Sequence, residues 1–209
     1  MPDDAALRRA WHRAWQGVGG APGASLFDAL VAAWTQPQRH YHTLQHLGEC
    51  IAILEPALQL AEHPGEVALA LWFHDAVYDV QGHDNEWHSA QWLVQCAQAA
   101  GVADAAALAR LHALVMATRH AALPATVDEQ LLVDVDLSIL GAPRARFDEY
   151  EQQVRQEYAW VPEAVFRQKR REVVRGFLDR PFVYGTDTFR QELEQSARDN
   201  LRASIARLG

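Results

Sequence analysis

The chain has 209 residues, 49% hydrophobic and 22% charged, enough for one domain to close an apolar core without disulfides or structural zinc. Its formal net charge of -8 argues against a protein that lives on the nucleic-acid backbone, a task that favours a basic face. Cys50 and Cys96 form no CxxC pair, the acidic start MPDDAALRRAW lacks a signal peptide's apolar segment, and no apolar run approaches the ~20 residues that cross a bilayer. A cytoplasmic protein without membrane association is expected.

In chain order, Leu7, Trp11 and Trp15 recur at four-residue steps and predict an amphipathic opening helix. GGAPG breaks it, and Ser25 is placed to cap a second helix, SLFDALVAAW. A loop through Pro37 leads to Thr43, a cap for LQHLGECIAILEPAL. The nearly continuous apolar segment EVALALWFHDAVY reads as a central helix, and DVQGHD as a turn. NEWHSAQWLVQCAQAAG closes on Gly101, and another helix spans Asp104 to Thr118. RHAALPATVD is a loop, after which Asp128 opens EQLLVDVDLSILG. Three long charged amphipathic helices complete the chain, with few strand signals and no repeat. The fold expected is an all-α, single-domain bundle over 1–209, with N-terminal helices in 1–35, a core in 36–141 and C-terminal helices in 142–209.

The chemistry concentrates in histidine and carboxylate. Lys169 is the sole lysine, so no GxxxxGKS/T phosphate loop exists, and neither a GxSxG elbow nor a GxGxxG turn is present. RHYHTLQHL packs three histidines into seven positions, with His42 and His46 one helical turn apart. His74 and Asp75 stand together at the end of an apolar helix, where an unpaired carboxylate costs several kcal/mol. Asp136 has Leu132, Val133, Ile139 and Leu140 as helical neighbours, whereas Asp134 has Gln130 and Ser138, so Asp136 reads as the more buried of the two. His46, His74, Asp75 and Asp136 thus form a candidate nitrogen and oxygen site for a divalent ion, with Mn, Fe, Co, Ni, Mg and Zn not distinguishable.

The order His, His-Asp, Asp, each on a helix, resembles the HD-domain superfamily of metal-dependent phosphohydrolases. YHTLQHL, FHDAVYD, DNEWHSA, ATRH, DVDLSILG, FLDRPFVYGTDTF and ARDNL resemble a bacterial group of predicted HD phosphohydrolases, from about Arg39 onward. The resemblance implies an HD-type helical fold with His46, His74, Asp75 and Asp136 as metal ligands. It also implies hydrolysis of a nucleotide or other small phosphate ester by metal-activated water. YHTLQHL further resembles the YHNxxHA segment of cyclic-nucleotide phosphodiesterases, which implies that His42 protonates the leaving oxygen; Thr43 departs from that pattern.

Around this set, Glu86 is a candidate to orient water or accept its proton, or else stabilises the first turn of its helix. Asp79 has the same two readings, with a turn before Gly82 favoured. Arg39 and Arg119 are candidate phosphate-binding residues, and an exposed loop arginine is the ordinary alternative for Arg39. His120 is either a ligand for a second ion or a group that satisfies helix-end carbonyls. Cys50 reads as a small core residue. Alternative functions are an HD-fold di-iron oxygenase and a metal-binding regulatory module without turnover. The partner expected is a small phosphorylated substrate, not a nucleic-acid polymer; the sequence leaves oligomeric state open.

Overall fold

In the computed structural model, which describes residues 3–209, the chain is all-α: ten α-helices and no strand among the described residues. No helix of the described residues is long and apolar enough to cross a membrane. Packing divides the chain into two compact units, the first ending at Val135 and the second spanning Asp136–Gly209.

The first unit is built around α4 (Pro64–Phe73), against which α1 (Asp4–Gly17), α3 (Leu44–Ala57), α5 (Asn85–Ala99) and α6 (Ala105–Ala117) pack. Its apolar residues do not segregate to one stripe, and Val67 and Leu69 to Phe73 are all buried, as expected for a helix enclosed on every side. Trp11 on α1 meets the Trp72 ring edge-on at 5.2 Å. Backbones of α1 and α4 touch where Gly17 meets Gly65; a Cβ on Gly17 would stand 2.7 Å from the Gly65 Cα. α2 (Leu26–Trp34) buries Leu30 and Trp34, and α7 (Val127–Asp136) ends the unit's helices.

Local signals account for most helix ends. Thr43 accepts a hydrogen bond from Gln45 N, Asp104 accepts one from Ala106 N, and Gly101 takes a positive φ of 93° just past α5. Ser25 precedes α2 but its side chain makes no capping bond, because its backbone is already helical (φ -83°, ψ -8°). Asp128 does not open α7. Thr126 and Glu129 do, by a reciprocal box: Glu129 N donates to Thr126 Oγ1 and Thr126 N to Glu129 Oε2. Asp128 instead accepts bonds from Glu62 N, His63 N and the His63 ring, tying the loop before α4 to α7.

The second unit holds a 3₁₀ turn (Leu137–Gly141), α8 (Arg144–Glu157), α9 (Glu163–Leu178) and α10 (Asp187–Leu208). α10 packs on α9 and on the 3₁₀ turn. Asn200 of α10 donates to the Leu140 and Ala142 carbonyls, and Tyr184 Oη donates to Leu137 O. The expected single helix over EQLLVDVDLSILG therefore tightens to 3₁₀ after Asp136, where these side chains claim the carbonyls an α-helix would use.

Candidate metal centre

The site begins where α4 stops. The sequence pattern runs helical through Tyr78, yet α4 ends at Phe73 and the chain turns at His74 and Asp75. Neither glycine nor proline ends it; side chains from elsewhere in the unit take the last carbonyls. Trp34 Nε1 donates to Trp72 O at 3.1 Å, and the Ala76 amide closes a turn onto Phe73 O at 2.9 Å. Arg39 donates from Nη1 to Asp75 O (2.7 Å) and from Nη2 to Ala76 O (2.9 Å). Ser89 of α5 receives the Val77 amide at 3.0 Å. The orphan carbonyls of a helix end are thereby satisfied inside the protein, and the turn is fixed from three sides.

His74 Nδ1 lies 2.8 Å from the Leu71 carbonyl, an acceptor only, so Nδ1 carries the proton and Nε2 presents a lone pair. That Nε2 is 3.1 Å from Asp75 Oδ2 and 3.2 Å from His46 Nε2 on α3. His46 Nε2 is 3.9 Å from the same carboxylate oxygen. Asp136, the last residue of α7, completes a group whose ligand atoms all lie within 4.8 Å of one another. Bonds of about 2.0–2.2 Å to a shared ion place adjacent ligands roughly 3.0–3.5 Å apart and opposed ligands at about 4.2 Å. The 3.1, 3.2 and 3.9 Å separations among His46, His74 and Asp75 fall in that range. The His74 lone pair is aimed into the group, and two imidazoles with two carboxylates are a donor set that first-row divalent ions accept.

Burial within α7 departs from the helical-neighbour reading. Asp134 is 0% exposed and Asp136 is partly exposed, although Asp136 is the one that joins the group. Neighbours on one helix do not report which face of it the rest of the unit covers.

The other candidates are placed as follows. The His42 ring stacks on Tyr78 at 4.2 Å between centroids and lies 6.1 Å from the His46 ring, beside the group but outside it. Arg39 is not an exposed loop arginine: it is 5% exposed, and besides the two carbonyls above it donates to His42 O and Gln36 Oε1. Arg119 is exposed past the end of α6 and donates to His83 O in the turn before α5. Glu86 sits half-buried in the first turn of α5 and is not in the group. Asp79 makes its turn, accepting from Gln81 N through Oδ1 and from Gly82 N through its carbonyl. His120 adopts a positive φ of 55° and lies outside the group. Two features escape the sequence reading: the Arg39 fork, and the Cys50 thiol 3.5 Å from His46 Nδ1. The i, i+4 spacing of His46 and Cys50 is the only signal for the second.

Compared with protein-family models, with curated proteins and with solved structures, the chain matches none. The site therefore stands on its own geometry: an all-α protein in which a His/His/Asp/Asp group can hold a metal ion.

Proposed function

We propose that the chain is a metal-dependent phosphohydrolase of HD-domain type, acting on a nucleotide or another small phosphate ester. The observation that carries this reading is the convergence of His46, His74, Asp75 and Asp136 from three distant segments onto one ion-sized space. The resemblance of those segments to HD motifs supports it. A divalent ion held there supplies Lewis acidity, polarising a phosphoryl oxygen and making water nucleophilic near neutral pH.

The chain's own residues do the rest. His74 keeps its proton on Nδ1 through Leu71 O, leaving Nε2 for the ion. His42, held against Tyr78 next to the group, delivers a proton to the leaving oxygen. Arg39 acts through the backbone: its fork joins the His42 carbonyl to the Asp75 and Ala76 carbonyls, setting the proton donor's segment against the metal-binding turn. Arg119, exposed past the end of α6, stands against Asp84 and His83 O and would exchange these contacts for a phosphate arriving from solvent.

The test is a screen of metal-reconstituted protein against nucleotides, cyclic nucleotides and small phosphate esters, with elemental analysis of the purified chain. Turnover is expected that disappears in His74→Ala together with the metal. In His42→Ala, kcat should fall by about 10²–10⁴-fold while the metal is retained. Hydrolysis that persists in His74→Ala, or loaded protein inert toward every ester, sinks the proposal.

A further inference from the structure

Helices α1 and α3 each pack on α4 and leave a cleft of about 200 Å³ between them, inside the first unit. None of its lining residues is a candidate metal donor. Leu54, Leu71 and Trp72 are buried at its floor, and Ala14 and Ala68 are too small to fill it. Among the described residues, the charged side chains that line it are Arg13 of α1 and Glu55 of α3, which pair with each other across the cleft. With side chains 55% and 43% exposed, this ion pair is one that water screens, and opening it costs little.

The space and the pair together select a ligand. An apolar cavity of about 150 Å³ accepts a benzene ring, so this one suits an apolar group of roughly six to eight carbons. The head group is chosen by charge. A simple anion on Arg13 leaves Glu55 without its partner, and a simple cation on Glu55 does the same to Arg13. A zwitterion inserted between them gives each a new counter-charge, with carboxylate on guanidinium and ammonium on carboxylate. We propose that the cleft binds a free amino acid with a large apolar side chain, of leucine or phenylalanine size. Its side chain lies among the three helices, its carboxylate on Arg13 and its ammonium on Glu55. The site does not depend on whether the His/His/Asp/Asp group holds an ion.

The experiment uses the full chain, with L-phenylalanine as the probe. Phenethylamine and 3-phenylpropionate carry the same ring with one charge each. Amide ¹H–¹⁵N shifts read both binding and its place. Expected is saturable binding of phenylalanine with a dissociation constant of about 1 mM, and shifts centred on Ala14, Leu54 and Ala68. Each single-charge analogue should bind at least about threefold more weakly. Arg13→Gln and Glu55→Gln change exposed side chains and keep the fold; each should weaken phenylalanine about threefold to fivefold. Arg13→Gln should also narrow its lead over phenethylamine, and Glu55→Gln its lead over 3-phenylpropionate. Ala68→Leu fills the cleft and should abolish binding. Phenylalanine that does not bind, or that shifts amides elsewhere, overturns the proposal. So does a single-charge analogue that binds as tightly, or an affinity that neither glutamine variant changes.

Discussion

Two polar clusters of the chain handle their charges differently. In the second unit, Arg170 donates from Nε to Glu151 Oε1 at 3.1 Å and from Nη2 to Tyr150 Oη at 2.7 Å, and Ser204 Oγ donates to the other Glu151 oxygen. Burial pushes the Tyr150 phenol up, only partly offset by Arg170, so Tyr150 stays neutral and Glu151 is the counter-ion. Burial alone pulls Arg170 down, but its neighbours more than reverse this and hold it above its ordinary value. That cluster contains its own cation. The group formed by His46, His74, Asp75 and Asp136 consists of side chains that offer lone pairs to one. A self-balanced cluster is a structural joint; a cluster made of donors to a cation is a receptor.

The sharpest way to break the contrast is to remove a donor from the receptor. His74→Ala or Asp136→Ala should reduce bound metal from about one ion per chain to near zero, an affinity loss of at least about 100-fold by calorimetry. The joint should respond in stability instead. Glu151→Ala takes the counter-ion from Arg170 and should cost about 3 kcal/mol in urea unfolding. Replacing both partners together, Arg170→Met with Glu151→Leu, should recover most of that loss.

Arg39→Lys probes whether the receptor depends on its scaffold. It keeps the charge but loses the planar fork on the Asp75 and Ala76 carbonyls, and should weaken metal binding about tenfold. The smallest effect belongs to the surface. Bonding to Arg207, and then to Arg144, holds the Asp148 carboxyl below its ordinary value. A depressed pKa contributes stability above the unfolded value that is lost as pH falls through the folded one. Asp148→Asn should therefore melt slightly earlier at neutral pH and converge with the wild type in acid, as thermal unfolding at several pH values will show.

Legibility in the sequence varies by residue. The helices follow from apolar period and from local punctuation at Thr43, Gly101 and Asp104, whose effects stay within a turn or two. The four candidate metal donors, which the fold brings together, are legible because each motif is compact and their order is distinctive. The stop of α4 is not, since Trp34, Arg39 and Ser89, which fix it, come from other segments. The same is true of Arg39, whose loop position predicts exposure until the carbonyls it serves are brought to it. Ranking Asp134 and Asp136 by their own helix fails, because burial is decided by what packs on that helix. The Thr126–Glu129 box is local, and the three-residue spacing within TVDE carries it, yet the sequence reading opens this helix at Asp128 instead.

The termination of α4 at Phe73 has a further effect on any substrate. The C-terminal pole of a helix carries roughly half a negative charge, and here it lies directly behind Asp75 and His74. Helix pole and aspartates add negative charge to this corner, which the Arg39 guanidinium on the Asp75 and Ala76 carbonyls offsets only in part. For the proposed phosphohydrolase this predicts an order of association, ion first and ester second, because only the ion would make the corner attractive to phosphate.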